Sequence, residues 1–209
     1  MRVFVYIDGF NLYYRALKNT QHKWLNPVAL SQRLLNPGDT IQRVKYFTAR
    51  ISPRAGDPDA PRRQQILLSA LHTLPNLEVH YGRFLSKSKR RPLTGSNPQR
   101  FVEVDDTEEK GSDVNLAVHL VNDGWKRLYD VALVMSQDTD LIEPLRVVSK
   151  ELRLKVGLIW LDGKRPSSAL AAVSSFVRHI NNADLAASQF PNPIHAGHGV
   201  VITKPVQWT

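Results

Sequence analysis

The chain has no cysteine, so disulfides and thiolate metal centres are excluded and the fold must hold without covalent cross-links. Long apolar runs are missing too. The longest, such as Val131–Met135 and Val156–Trp160, fall far short of the roughly 20 residues that cross a bilayer, and no membrane span is expected. The opening Val3-Phe4-Val5-Tyr6-Ile7 is too short for the apolar part of an export signal and passes at once into polar residues, which reads as a cytoplasmic protein. Acids are the scarcer charge. Against 28 Lys and Arg stand 19 Asp and Glu, and the formal charge of +9 favours an anionic partner, of which nucleic acid is the commonest for a soluble basic domain.

The 209 residues, 42% of them hydrophobic, suit one domain with a sizeable core, and no internal repeat is visible. Short β-branched runs alternate with stretches of helical period, the pattern of an α/β fold around a mostly parallel sheet. Strands are expected near Val3–Ile7, Ile41–Ala49, Leu77–Phe84, Val131–Met135, Leu154–Trp160 and Phe176–Ile180. Helices are expected at Leu12–Lys18, Val28–Leu35, Arg62–Leu71, Val114–Asn122 and Leu141–Leu152, with a short one near Ala169–Val173. Pro27 suits a first helical turn, Ser112 or Asp113 suits a helix cap, and Gly124 suits a stop. Ser52–Pro61 and Ser86–Pro98 read as loops, the second as a flexible basic arm. The domain is expected over residues 1–185, with 186–209 as an extended C-terminal tail rich in Ala, Asn, Pro and Gly.

In a doubly wound parallel sheet, ligands sit beyond the carboxyl ends of the strands, so acids placed there carry weight. Asp8 follows the first strand directly, with Gly9 behind it to ease a tight turn. Asp138 and Asp140 follow Val131–Met135, and Asp113 stands at the mouth of the helix beginning near Val114. Taken singly, each of these acids is also explained as a turn residue or helix cap. Taken together, three separated segments supply carboxylates to one edge, and like charges about 4 Å apart repel by roughly 4 kcal/mol at an effective dielectric near 20. A counter-cation is therefore expected. Oxygen ligands without Cys or paired His favour Mg²⁺ or Mn²⁺ over Zn²⁺, and such an ion activates water for attack on a phosphodiester.

The segments Tyr6-Ile7-Asp8-Gly9-Phe10-Asn11, Glu109-Lys110-Gly111-Ser112-Asp113-Val114-Asn115-Leu116-Ala117 and Ser136-Gln137-Asp138-Thr139-Asp140-Leu141 resemble, in order, the three signature blocks of NYN domains, the PIN-like group that includes LabA-like proteins. The resemblance covers about residues 1–180. It implies a PIN-like three-layer α/β/α sandwich, a Mg²⁺ or Mn²⁺ site and ribonuclease activity. By position, Asp8, Asp113, Asp138 and Asp140 match the family's catalytic and metal-binding acids, Asn11 and Ser136 its polar accessories, and Lys110 a frequent lysine. Asn11 and Ser136 can either contact a phosphate or hydrogen-bond loop backbone, and Lys110 is equally a solvated surface lysine. Two positions depart from the pattern: His119 stands where many relatives carry an acid, and Gln137 where a glycine is common.

Lys87, Lys89, Arg90 and Arg91 are expected to bind a nucleic-acid backbone without reading sequence, although a solvated charged loop accounts for them as well. The partner is expected to be RNA, with a homodimer or a regulatory protein as further associations. The rival reading is a nucleic-acid-binding or adaptor protein that keeps the fold and has little or no catalysis. Two other resemblances fail on single residues: haloacid-dehalogenase phosphatases need an acid where Phe10 stands, and Toprim domains a Glu where Asp8 stands.

Overall fold

The apolar run at the amino terminus becomes the middle of a sheet because five consecutive residues, Val3 to Ile7, are buried on both faces. In the computed structural model, which describes residues 1–197 and 199–208, the elements follow in chain order. They are β1 (Arg2–Asp8), α1 (Gly9–Leu12), α2 (Pro27–Arg33), β2 (Thr40–Thr48), α3 (Ala60–Leu71), β3 (Leu77–Tyr81), β4 (Arg83–Pro92), β5 (Phe101–Lys110), α4 (Ser112–Trp125) and β6 (Val131–Met135). After these come α5 (Ile142–Arg146), β7 (Lys155–Trp160), α6 (Ser168–Ala172), β8 (Phe176–His179), α7 (Asn182–Ala186), β9 (Ile194–His195) and β10 (Val201–Ile202). Wider π turns prolong α1 over Tyr13–Leu17 and α5 over Val147–Glu151.

Six strands form one parallel sheet in the order β3-β2-β1-β6-β7-β8. Winding runs outward from β1 to β3, then returns to place β6 on the other side of β1. The reversal therefore falls between β1 and β6. Alternate residues of β1 feed two cores: Val3, Val5 and Ile7 pack with α1, α2, α3 and α7, whereas Phe4 and Tyr6 pack with α4, α5 and α6. The result is the expected three-layer α/β/α sandwich. Leu116 and Leu120 are fully buried on α4, and each contributes about 1.5–3 kcal/mol by leaving water. Asn26 caps α2 by accepting from Val28 and Ala29 N–H, with Pro27 in the first turn as expected. Helix α4 instead starts behind Gly111, whose φ of 94° favours glycine, and no side chain caps it.

Three regions differ from expectation. The run Leu77–Phe84 is broken at Gly82, where an added Cβ would lie 2.7 Å from the Lys110 carbonyl oxygen, so β3 ends and a second ribbon begins. The segment Ser86–Pro98, expected as a flexible arm, is strand as far as Pro92, and β4 pairs with β5 in a ten-residue antiparallel ladder. Its polar sequence hides the strand, but the acidic run that follows lies opposite it, with Lys87 facing Asp106 and Arg90 facing Glu103. The described residues beyond 186, expected as an extended tail, fold back onto the first core. The Trp24 ring N–H donates to the Pro191 carbonyl (3.1 Å), its ring centroid lies 5.5 Å from Phe190 and 6.4 Å from Trp208, and the Phe190 N–H donates to its carbonyl (2.9 Å).

One polar cluster lies in the second core, with Tyr6, Lys45 and Asp123 buried and His119 and His80 half-buried beside them. Lys45 Nζ donates to Asp123 Oδ2 (2.5 Å) and the Tyr6 hydroxyl donates to the same oxygen (2.8 Å). Lys45 Nζ also lies 3.2 Å from His119 Nδ1, whose ring is 4.2 Å from that of His80. Burial and the Lys45 charge both push the His119 pKa down, so a neutral imidazole faces the ammonium. Removing one partner of a buried ion pair strands the other charge. Asp123→Ala is expected to cost about 3–5 kcal/mol in urea unfolding, whereas the Lys45→Met/Asp123→Leu double variant recovers most of it. A loss below about 1 kcal/mol in the single variant would show that the pair does not support the fold.

Candidate functional site

The reversal of winding sets the ends of β1 and β6 side by side, with Ile7 opposite Met135 in the ladder. The next residues, Asp8 and Ser136, meet directly: the Ser136 hydroxyl donates to Asp8 Oδ2 (3.1 Å) and the Asn11 N–H donates to Asp8 Oδ1 (2.9 Å). Asn11 Oδ1 accepts from the Gln137 N–H (3.2 Å), and Ser136 Oγ accepts from the Asp138 N–H (3.2 Å). Asn11 and Ser136 therefore stitch the two strand ends together and aim Asp8 and Asp138, which is the backbone-bonding alternative open for them in the sequence. Gly9 serves this corner through space rather than through its turn. A Cβ there would lie 2.6 Å from the ring of buried Tyr46.

Burial raises the pKa of Asp8, and the neighbouring Asp138 charge raises it further, against the opposing hydrogen bonds from Asn11 and Ser136. A carboxylate in that position is short of positive charge. Asp8 and Asp138 line a cleft of about 540 Å³ together with Asp113, Glu109 and Asp57. Glu109 is held by Ser112, which donates to it through both its N–H (3.1 Å) and its hydroxyl (2.8 Å). The wall also carries aromatic and basic side chains, Phe10, Tyr14, Tyr46 and Trp208 with Lys18, Arg54 and Arg63, among aliphatic and neutral polar ones.

Three of the four expected acids are thus gathered. Asp140 is not among the cleft residues; it is exposed, and its N–H donates to Asp138 Oδ1 (3.0 Å). Lys110 is outside as well, paired with Glu108 (2.8 Å). His119 faces Lys45, Phe47 and His80 and takes no part in the cleft. Among the described residues, no group of three His, Asp or Glu side chains is arranged to enclose an ion by itself. The donor chemistry still fits a hard cation, since hydrogen-bonded, strand-anchored carboxylate oxygens are what Mg²⁺ and Mn²⁺ take, with water filling the remaining positions.

Lys87, Lys89, Arg90 and Arg91 stand on β4, and none of them lines the cleft. Lys89 is paired with Asp106 (2.6 Å) and Glu108 (2.5 Å), Arg91 lies 3.9 Å from Asp106, and Arg90 lies over the Phe101 ring at 4.8 Å. Sequence reading assigned no role to Glu109, Asp57, Lys18 or Trp208. Glu109 lies within the signature block around Asp113, which was its one available signal. Trp208 had none, because the segment leading to it has no regular period.

The sequence model of the NYN domain matches residues 2–181. The chain is 28% identical to 6-hydroxy-3-succinoylpyridine 3-monooxygenase HspA of Pseudomonas putida, an alignment covering 100% of this chain and 75% of that protein. Its fold is similar to the crystal structure of a protein of unknown function from Vibrio parahaemolyticus RIMD 2210633, with a TM-score of 0.53, 15% identity, and 87% of this chain and 93% of that chain covered. With the match spanning nearly the whole described sheet and all three signature blocks, the chain belongs to the NYN domain family.

Proposed function

We propose that the protein is a metal-dependent nuclease that hydrolyses phosphodiester bonds in RNA at the Asp8–Asp138 corner. The observation that carries this reading is the convergence of Asp8, Asp113 and Asp138 on one cleft at the carboxyl ends of parallel strands. Membership of the NYN family, a PIN-like nuclease family, supports it. Asp8 and Asp138 would hold the ion, with Asp113 and Glu109 on the same cleft to orient its water ligands. A bound Mg²⁺ or Mn²⁺ supplies positive charge against the phosphoryl oxygens and acidity to water. Asn11 and Ser136 keep the Asp8 oxygens fixed, so little reorganisation is needed when charge develops.

A second reading takes support from the name of the Pseudomonas putida relative and from the aromatic lining of the cleft: oxygenation of a hydroxypyridine. Oxygen uptake with hydroxypyridine carboxylates distinguishes it from hydrolysis.

Purified protein is expected to cleave labelled single-stranded RNA with Mn²⁺ and not with EDTA, and Asp8→Asn is expected to lower the rate at least about 100-fold, the scale of losing one preorganised electrostatic group. Parental activity that persists in EDTA, or in Asp8→Asn, would overturn the assignment. A second expectation concerns stability. A raised carboxyl pKa contributes stability at low pH that is lost as pH climbs through the folded-state value, so the ionised Asp8 is a burden at neutral pH without a cation. In EDTA at pH 7, Asp8→Asn should melt about 2–4 °C above the parent, the shift expected for roughly 1 kcal/mol in a chain of this size. The difference should shrink near pH 4. Mn²⁺ should raise the melting temperature of the parent and leave the variant unchanged; an equal gain in both would place the ion elsewhere.

A further inference from the structure

Two of the four cations of the basic arm, Lys89 and Arg91, are answered within the ribbon by Asp106 or Glu108, and Arg90 lies over the Phe101 ring. Cations of a different kind line the cleft. Among the described residues, Lys18 and Arg54 make no ion pair; Lys18 instead lies over the Tyr14 ring at 5.2 Å. Arg63 is engaged by Asp57. The same cleft is walled by exposed Tyr14 and by the small exposed part of Trp208, a largely buried ring that the C-terminal return carries in and a tilted contact with Trp24 holds. A cation over an aromatic ring, with a second cation free of ion pairs in the same cleft, suits a flat ring that bears an anion, and about 540 Å³ is room for one such unit but not for a duplex.

We propose that Lys18, Arg54, Tyr14 and Trp208 form a subsite for one nucleotide unit of a single strand, the cations taking its phosphate and the aromatic rings its base. This deepens the nuclease reading and rests on it for the identity of the ligand as nucleic acid. Trp208 lies outside the residues matched by the NYN model, so the subsite is built partly from chain beyond the family's common domain. It also separates strand binding from the ribbon.

The test is fluorescence anisotropy of labelled 2′-O-methyl hexauridine and of its abasic counterpart, both in EDTA so that no cleavage intervenes. The Lys18→Gln/Arg54→Gln variant is expected to weaken both strands and to flatten the slope of log affinity against log salt by about 0.7 for each phosphate no longer neutralised. Trp208→Leu is expected to weaken hexauridine about tenfold, the scale of one base stack, and to leave the abasic strand unchanged, with Trp208→Phe restoring most of the loss. If Trp208 were merely structural, its replacement by Leu would weaken both strands equally. That result overturns the proposal, as does an unchanged salt slope in the double variant, a loss confined to a Lys87→Ala/Arg91→Ala variant, or a parent that binds neither strand. Binding that follows the expected pattern without cleavage in Mn²⁺ would keep the subsite and defeat the hydrolytic reading alone.

Discussion

The ladder between β1 and β6 builds the candidate site, because it fixes the distance between two strand ends that are far apart in sequence. In register, Ile7 lies beside Met135, and the residues that follow each of them leave the sheet at the same level. Asp8 and Ser136 then meet without any further adjustment of the backbone. Both strands are buried on both faces, so a slip of one residue would turn Val3, Val5 and Ile7 out of one core and into the other. Packing of the two helical layers thus holds the register, and the register holds the carboxylates.

That arrangement carries a cost in stability. Asp8 is partly withdrawn from water beside another acid, and its raised pKa records the resulting cost of ionisation. The hydrogen bonds from Asn11 and Ser136 offset part of that cost and leave the carboxylate in one orientation. The second core deals with charge in the opposite way. There Lys45 and Asp123 neutralise each other, Tyr6 supplies a further donor, and His119 stays uncharged beside the ammonium. One cluster pairs its charges within the protein, whereas in the other, among the described residues, Asp8 makes no ion pair.

The net charge of +9 is likewise distributed unevenly once the chain is folded. Antiparallel pairing of β4 with β5 lays a basic strand against an acidic one, so part of the densest run of positive charge, Lys89 and Arg91, is paired across the ribbon. Lys18 and Arg54, far apart in the sequence, come to share a cleft with Asp8 and Trp208. Local density of charge in a sequence and electrostatic potential in a fold are different quantities, because the second depends on what lies opposite.

The sequence by itself determined the parallel sheet and the placing of Asp8, Asp113 and Asp138 at strand or helix ends, since these depend on local periodicity and on the chain order of short segments, while the three-layer core followed from the family resemblance. It also marked Asn11 and Ser136, though not that their partners are Asp8 and the backbone of the opposite loop. Only the tertiary structure decided that Asp140 faces solvent, that Gly9 is required by the Tyr46 ring, that the basic arm is a paired strand, and that Trp208 returns to the cleft. Each of those outcomes depends on segments distant in sequence meeting in space. A local pattern says which face of an element is apolar, but the identity of what covers it is settled by which segments the closed fold brings into reach.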